Sequence, residues 1–276
     1  MKKTLILTGG SSGIGKAAAL LFASNGYHVY ELSRHGESSE NITHIDCDVT
    51  KPEDCQNAVA QVLKESDRID VLLSNAGMGI SGAIEFTDIN EAKRQIDVNF
   101  FGAVNITQAV LPHMRRQGME NAKAMGKPEG TGVNGGRIIF VSSVMAAFSL
   151  PFQAFYGASK SALNSFALAL KNEMLPFGVS VCILMPGDVK TGFTAARAKS
   201  IEGSDIYPRM LKAVSQMEHD EQNGILPETM AKKLLQMAEA KNPCLLSTVG
   251  LMYHAFLLLG KVLPATLVYK IVSKMY

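Results

Sequence analysis

Thr8-Gly9-Gly10-Ser11-Ser12-Gly13-Ile14-Gly15 is the stretch on which the fold turns. Before it, Thr4 to Thr8 is a short β-branched and leucine run of the right length for a buried strand. After it, Ile14, Ala17, Ala18, Leu21 and Phe22 recur at helical spacing, and Gly26 stands where a C-terminal cap belongs. Strand, glycine turn and helix in that order make a cradle for phosphate. The glycines allow the backbone a close approach, and the helix N-terminus offers N–H groups and a favourable dipole. The spacing is Gly-x-x-x-Gly-x-Gly and departs from the usual dinucleotide fingerprint, so the strand–turn–helix context carries the weight.

Outward from that turn the two periods keep alternating. Tyr27 to Ser33 reads as a second strand, and Thr50 with Glu53 fits a capping box before a helix striped by Cys55, Ala58, Val59, Val62 and Leu63. Ile69 to Ser74 is another buried strand, and Ile96, Phe100, Ala103, Val104, Thr107, Val110 and Leu111 mark a long helix. The stretch 118–136, rich in Gly, Asn, Lys and Pro, reads as a surface loop insertion with room for a short helix over Met119 to Met125. Strand Arg137 to Val141, helix Phe155 to Leu175 and strand Ser180 to Met185 follow. The expectation is an α/β chain, 1–276: one Rossmann-like doubly wound domain with a mostly parallel sheet of about seven strands and helices on both faces.

Composition narrows the function classes. With 47% hydrophobic and 19% charged residues there is ample material for a large core. A net charge of +2 and no run of five basic residues argue against nucleic acid as a partner. Cys47, Cys55, Cys182 and Cys244 form no CxxC pair, so they read as buried apolar residues of a reducing, cytoplasmic setting, with no metal site. Lys2 and Lys3 precede an apolar stretch too short for a signal peptide.

Two further constellations carry chemistry. The second strand ends Glu31-Leu32-Ser33-Arg34. A fold that binds NAD usually places an acid there for the ribose hydroxyls, whereas Ser33 followed by Arg34 suits the 2′-phosphate of NADP. The competing reading leaves Arg34 in solvent and makes Glu31 the ribose ligand, with NAD as cofactor. Further on, Tyr156 and Lys160 stand four apart on one helical face. A phenol with a pKa near 10 is a poor base at neutral pH, and lowering it by about three units takes roughly 4 kcal/mol, which a neighbouring ammonium helped by a positively charged oxidised nicotinamide can supply. Ser143, just past the end of a strand, can hydrogen-bond a substrate oxygen beside Tyr156.

Together these residues resemble the short-chain dehydrogenase/reductase family from residue 4 to about 195. The matching motifs are Thr8 to Gly15, Asp48-Val49, Asn75-Ala76-Gly77, Asn99, Ser143, Tyr156 with Lys160, and Pro186-Gly187 followed by Val189 and Thr191. The resemblance implies a cofactor site built from Gly9, Ser11, Ser12, Gly13, Ile14, Ser33, Arg34, Asp48, Val49, Asn75, Ala76, Gly77, Tyr156, Lys160, Pro186, Gly187, Val189 and Thr191. Within it Asp48 would contact adenine, and Asn75 and its neighbours would stabilise the sheet. Asn99 would bend its helix and hold a water linking Lys160 to solvent, and Thr191 with the Val189 backbone would bind the nicotinamide carboxamide. The implied catalytic set is Asn99, Ser143, Tyr156 and Lys160, in a homodimer or homotetramer.

Residues 193–224 occupy the segment that covers substrate in that family, and Phe193, Ile201, Ile206, Tyr207, Met210 and Leu211 are candidates for an apolar pocket. His219, between Glu218 and Asp220, reads as solvated. Residues 250–276 form a helical tail. No charged residue lies between Lys241 and Lys261, but Pro243, Ser247, Thr248, Gly250 and His254 argue against a membrane span. The favoured reading is a last strand at Cys244 to Val249, then a helix broken near Pro264. Beyond the break, Leu267, Val268, Ile271, Val272 and Met275 form an apolar stripe opposite Lys270 and Lys274. Whether that stripe covers substrate, a partner subunit or a membrane surface stays open.

The leading functional expectation is an NADP-dependent enzyme acting on a hydrophobic ketone or alcohol of steroid, bile acid or lipid-like type. Reduction of a carrier-bound 3-oxoacyl group is the alternative, with Arg197, Lys199 and Arg209 permitting a basic entrance. A non-catalytic NADP-binding regulator or a membrane-bound scaffold are readings of another class. The intact Ser143–Tyr156–Lys160 set argues against a regulator, which has no physical need for all three.

Overall fold

In the computed structural model, which describes residues 2–128 and 130–275, β1 (Lys3–Thr8) runs buried into the glycine turn and α1 (Gly13–Ser24) leaves it. Then come β2 (Tyr27–Ser33), β3 (Ile42–Asp46), α2 (Pro52–Glu65), β4 (Val71–Ser74), the two-residue β5 (Ile80–Ser81) and α3 (Ile89–Ile96). A π-turn, Asp97–Phe101, joins α3 to α4 (Gly102–Ala124). The second half holds β6 (Gly136–Val141), α5 (Ala154–Met174), β7 (Val179–Leu184), α6 (Phe193–Ala196) and β8 (Ala198–Lys199). It continues with α7 (Met210–Gln222), α8 (Pro227–Glu239), β9 (Leu246–Ser247), α9 (Leu251–Val262) and α10 (Ala265–Met275).

Seven strands form one sheet in the order β3-β2-β1-β4-β6-β7-β9, every neighbour parallel, while β5 and β8 pair separately. The inner strands are nearly continuous apolar runs because helices cover both faces. On one face Phe22 of α1 and Leu234 of α8 pack with Leu5, Leu7 and Leu73. On the other, Val59 of α2, Ile106 of α4 and Leu163 of α5 pack with Ile6, Leu72 and Ile138. The winding reverses between β1 and β4, and ligands of such sheets bind outside the strand C-termini at that switch point.

Several expectations are corrected. The edge strand β3 was not foreseen, since only Ile42 and Ile45 of its five residues are buried. There is no capping box at Thr50: α2 starts at Pro52 with Lys51 as N-cap, because proline at the first helical position presets the backbone. Thr50 instead donates to Asp48 Oδ1 through its N–H (3.0 Å) and its hydroxyl (2.7 Å). The segment 118–136 is not all loop and Met119 to Met125 is no separate helix, because α4 runs on to Ala124. Gly118 lies buried inside it, where an added Cβ would stand 1.8 Å from the Phe177 carbonyl oxygen, so that glycine serves packing. The last strand is shorter than expected, Leu246–Ser247, and Cys244 is exposed while the other three cysteines are buried.

The tail is two helices separated at Leu263 and Pro264, as the proline leads one to expect. Among the described residues no helix is long and apolar enough to cross a membrane. The side chains of Lys274 and Met275, assigned above to opposite faces of the tail, lie outside the described ones.

Candidate active site

One cavity of about 1450 Å³ opens at the switch point. Every residue expected at a cofactor borders it, from Gly9, Ser11, Ser12, Gly13 and Ile14 to Pro186, Gly187, Val189 and Thr191. Gly9 holds a φ of +67°, and a Cβ there would stand 2.9 Å from the Ala76 Cα, so the turn needs glycine. The Asn75 side chain closes this corner by donating to the carbonyls of Thr8 (3.2 Å) and Gly9 (2.9 Å). Ser12, the N-cap of α1, makes no side-chain capping bond, which leaves the N–H groups of the first turn facing the cavity for an anion.

At the end of β2 the two readings separate. Glu31 is buried and does not border the cavity. Its Oε1 accepts from Gly10 N (2.8 Å) and its Oε2 pairs with His44 Nδ1 (2.6 Å), so it braces the glycine turn from behind. Burial pulls the His44 pKa down, but hydrogen bonds to Glu31 and Asp46 outweigh it and raise the value. Ser33 borders the cavity, yet its single O–H lies within reach of two inward acceptors, the His35 carbonyl (2.9 Å) and Glu31 Oε2 (3.1 Å). Arg34 is exposed on the cavity wall and makes no hydrogen bond or ion pair among the described residues. Burial would raise the Asp48 pKa, but the bonds from Thr50 and the nearby Arg34 hold it below the usual carboxylate range.

The candidate catalytic groups meet at the far end. Ser143, Tyr156 and Lys160 border the same cavity, brought there by the end of β6 and the first turns of α5. Burial pushes the Tyr156 phenol up to about 12, against the pull of a hydrogen bond with Ser143 and of the Arg197 charge. The expected lowering by Lys160 is not what the protein's own groups produce: desolvation wins. Lys160 Nζ lies 5.8 Å from the Tyr156 ring centre, and burial brings its pKa down to about 8. That ammonium donates to the Val141 carbonyl (3.0 Å), which leaves further N–H donors for a ligand.

Asn99 stands behind the cavity, inside the π-turn. Its Oδ1 accepts from Met78 N (2.8 Å), and its amide donates to the Met78 carbonyl (3.0 Å) and to Ser159 Oγ (3.0 Å). The side chain thus fastens the loop after β4 to α5.

The covering segment differs from expectation. Of the six apolar candidates only Phe193 borders the cavity, its ring 5.8 Å from that of Tyr156. Ile201, Ile206 and Leu211 are exposed, Met210 is buried away from the site, and Tyr207 packs with Phe86 and Phe152. The apolar wall comes instead from Met145, Phe148 and Leu150 after β6 and from Phe256, Leu263 and Val268 of the tail. The apolar stripe of the tail was read with substrate as one of three possible coverings, and its Val268, Ile271 and Val272 border the cavity. His219 is exposed, as expected, at the cavity's edge.

One more residue was missed, Tyr253, and one was misread, Arg197. Tyr253 of α9 donates to Asp188 Oδ2 and accepts from Asp188 N (2.9 Å), which fastens the tail to the Pro186–Gly187 loop. Arg197, read as an entrance cation, is buried and paired with Glu221, which also accepts from Thr194 Oγ1 (2.6 Å). Lys199 pairs with Glu218 (2.6 Å) and Arg209 donates to the Ser273 carbonyl (2.7 Å), so the three cations form no free basic patch.

Comparison with known proteins agrees with the fold. The family model described as short chain dehydrogenase matches residues 3–202. A protein of Bacteroides thetaiotaomicron named 3-ketodihydrosphingosine reductase is 36% identical over 252 residues, covering 89% of this chain and 87% of that one. The 11-beta-hydroxysteroid dehydrogenase 1A of Arabidopsis thaliana is 32% identical over 77% of this chain and 59% of its own. Among solved structures, a short-chain dehydrogenase from Streptomyces avermitilis superimposes with a TM-score of 0.78 at 27% identity, covering 94% of this chain and 91% of that one.

Proposed function

The chain belongs to the short-chain dehydrogenase/reductase family of oxidoreductases, which use nicotinamide cofactors, and on that premise we propose that it reduces a hydrophobic ketone with NADPH. The observation that carries the reading is the meeting of Ser143, Tyr156 and Lys160 in the cavity that the uncapped start of α1 and the free Arg34 also border. Bound there, the nicotinamide supplies the hydride. Tyr156, protonated at neutral pH, delivers a proton from its hydroxyl to the carbonyl oxygen, and Ser143 hydrogen-bonds that same oxygen. Lys160 offers its remaining N–H bonds to ribose hydroxyls, and its charge favours the phenolate left behind.

Hydrophobic substrate is supported by the apolar wall that α9 and α10 add beside Phe148. The two relatives compared above carry names of enzymes acting on a sphingoid ketone and on a hydroxysteroid. The carrier-bound alternative is weakened, because two of its three entrance cations are paired with Glu221 and Glu218.

Cofactor choice rests on Arg34. A guanidinium gains paired, charge-assisted hydrogen bonds to a 2′-phosphate. Two bonds of about 1.5 kcal/mol each correspond to roughly a hundredfold preference for NADPH over NADH. The test is the ratio of the two dissociation constants, for the wild type and for Ser33→Asp/Arg34→Ala. The ratio should favour NADPH in the first and reverse in the second, where a carboxylate accepts the free ribose hydroxyls. A native ratio near one would remove Arg34 from the site and leave the rest of the proposal standing.

A further inference from the structure

We propose that α9 and α10 dock the protein on an anionic lipid surface, with the rim of the cavity set against it. Residues 242–276 contain no Asp or Glu but hold Lys261, Lys270 and Lys274. On the outer side of these helices Leu258, Val262 and Leu267 are 64%, 72% and 44% exposed and do not border the active-site cavity. At the rim Leu251, Met252, Leu259 and Ile271 are exposed and also border the cavity. The same two helices therefore carry apolar surface outside and into the site. Their inner side is held in place: Phe256 packs on Phe148 with ring centres 6.3 Å apart, and Arg209 donates to the Ser273 carbonyl.

Charge chooses the occupant. Large exposed apolar patches on a folded protein mark an interaction surface. A second copy meeting this face about a two-fold axis would set its lysines against their own counterparts with no acid in the tail to pair them. An anionic headgroup layer pairs them and accepts the leucines beneath. At 12 and 11 residues the helices are far short of the roughly 20 needed to span, so they lie along the interface. A ketone dissolved in the bilayer would then reach Tyr156 without crossing water, which deepens the function proposed above. The docking itself is read from binding alone, so its failure and that of the proposed reaction are told apart.

The experiment is flotation of the full chain, with NADPH present, on vesicles of phosphatidylcholine alone and of phosphatidylcholine mixed with phosphatidylglycerol. The wild type should float with the anionic vesicles and at least tenfold less with the neutral ones. Leu258→Glu/Val262→Glu should lose binding to both. Lys261→Gln/Lys270→Gln should lose it roughly twenty-five-fold for anionic vesicles only, at about fivefold per lysine. None of these four residues borders the cavity, so retained NADPH binding reports an intact fold. Wild-type protein that floats with neither vesicle, or variants that float as well as wild type, would overturn the proposal. So would a wild-type dimer that Leu258→Glu/Val262→Glu splits while vesicles bind neither form, since a second copy would then be the occupant.

Discussion

Tyr156 and Lys160 share the first turns of α5, Lys160 buried and Tyr156 half-buried, and loss of solvent moves their proton affinities in opposite directions. A lysine brought from 10.5 to about 8 by folding holds fewer protons than its unfolded counterpart between those values. Stability therefore climbs as pH rises from about 8 toward 10.5, by about 3 kcal/mol in all. A tyrosine raised from 10 to about 12 keeps its proton longer when folded, so its contribution is complete below pH 10 and fades as pH climbs toward 12. Urea midpoints of wild type and Lys160→Met across pH 7 to 10.5 should show a rising limb in the wild type alone. Parallel curves would mean that Lys160 is not desolvated. These two residues and Ser143 were legible because four-residue spacing on a helix and a strand end are geometric facts. The protonation state of Tyr156 was not, since it depends on burial by Phe193 and other residues distant in the sequence.

At the scale of elements, the strand–turn–helix at Thr8 to Gly15 and the main parallel strands were legible because buried strands are apolar runs. β3 escaped because an edge strand needs few apolar residues, and His44 and Asp46 made it look like loop. The end of α4 escaped because its glycine was taken at face value. Gly118 is where the helix touches the Phe177 backbone, so Gly118→Ala should cost about 2 kcal/mol despite alanine's better helix propensity. A chemical denaturation midpoint checks this, and a stabilised variant would place residue 118 outside the packed helix. The π-turn leaves no mark on the apolar periodicity, and only the family resemblance implies a bend at Asn99. Asn99→Ala leaves the Met78 N–H without its partner, while Gln95 still donates to the Met78 carbonyl (3.1 Å), and a loss of about 1.5 kcal/mol is expected in the same assay.

Taken whole, the molecule closes its cavity with a segment far from the reacting groups. α9 is fastened to the Pro186–Gly187 loop through Tyr253 and Asp188, so the tail and the proposed cofactor site share one anchor. Tyr253→Phe should weaken both NADPH affinity and ketone KM, whereas a tail remote from the site would change neither. A ligand that binds only the folded chain stabilises it by RT ln(1 + L/Kd) at free concentration L, so at a given concentration the tighter ligand raises the melting temperature more. At equal concentrations NADPH should therefore raise Tm more than NADH. The central claim is that Tyr156 donates the proton in NADPH-dependent ketone reduction, and the direct measurement is NADPH oxidation by wild type and Tyr156→Phe across steroid, lipid-like and small ketones. The wild type should oxidise NADPH only when a hydrophobic ketone is present, and the variant should bind NADPH equally well yet turn over at least about a hundredfold more slowly. Equal rates for the two proteins would contradict the account.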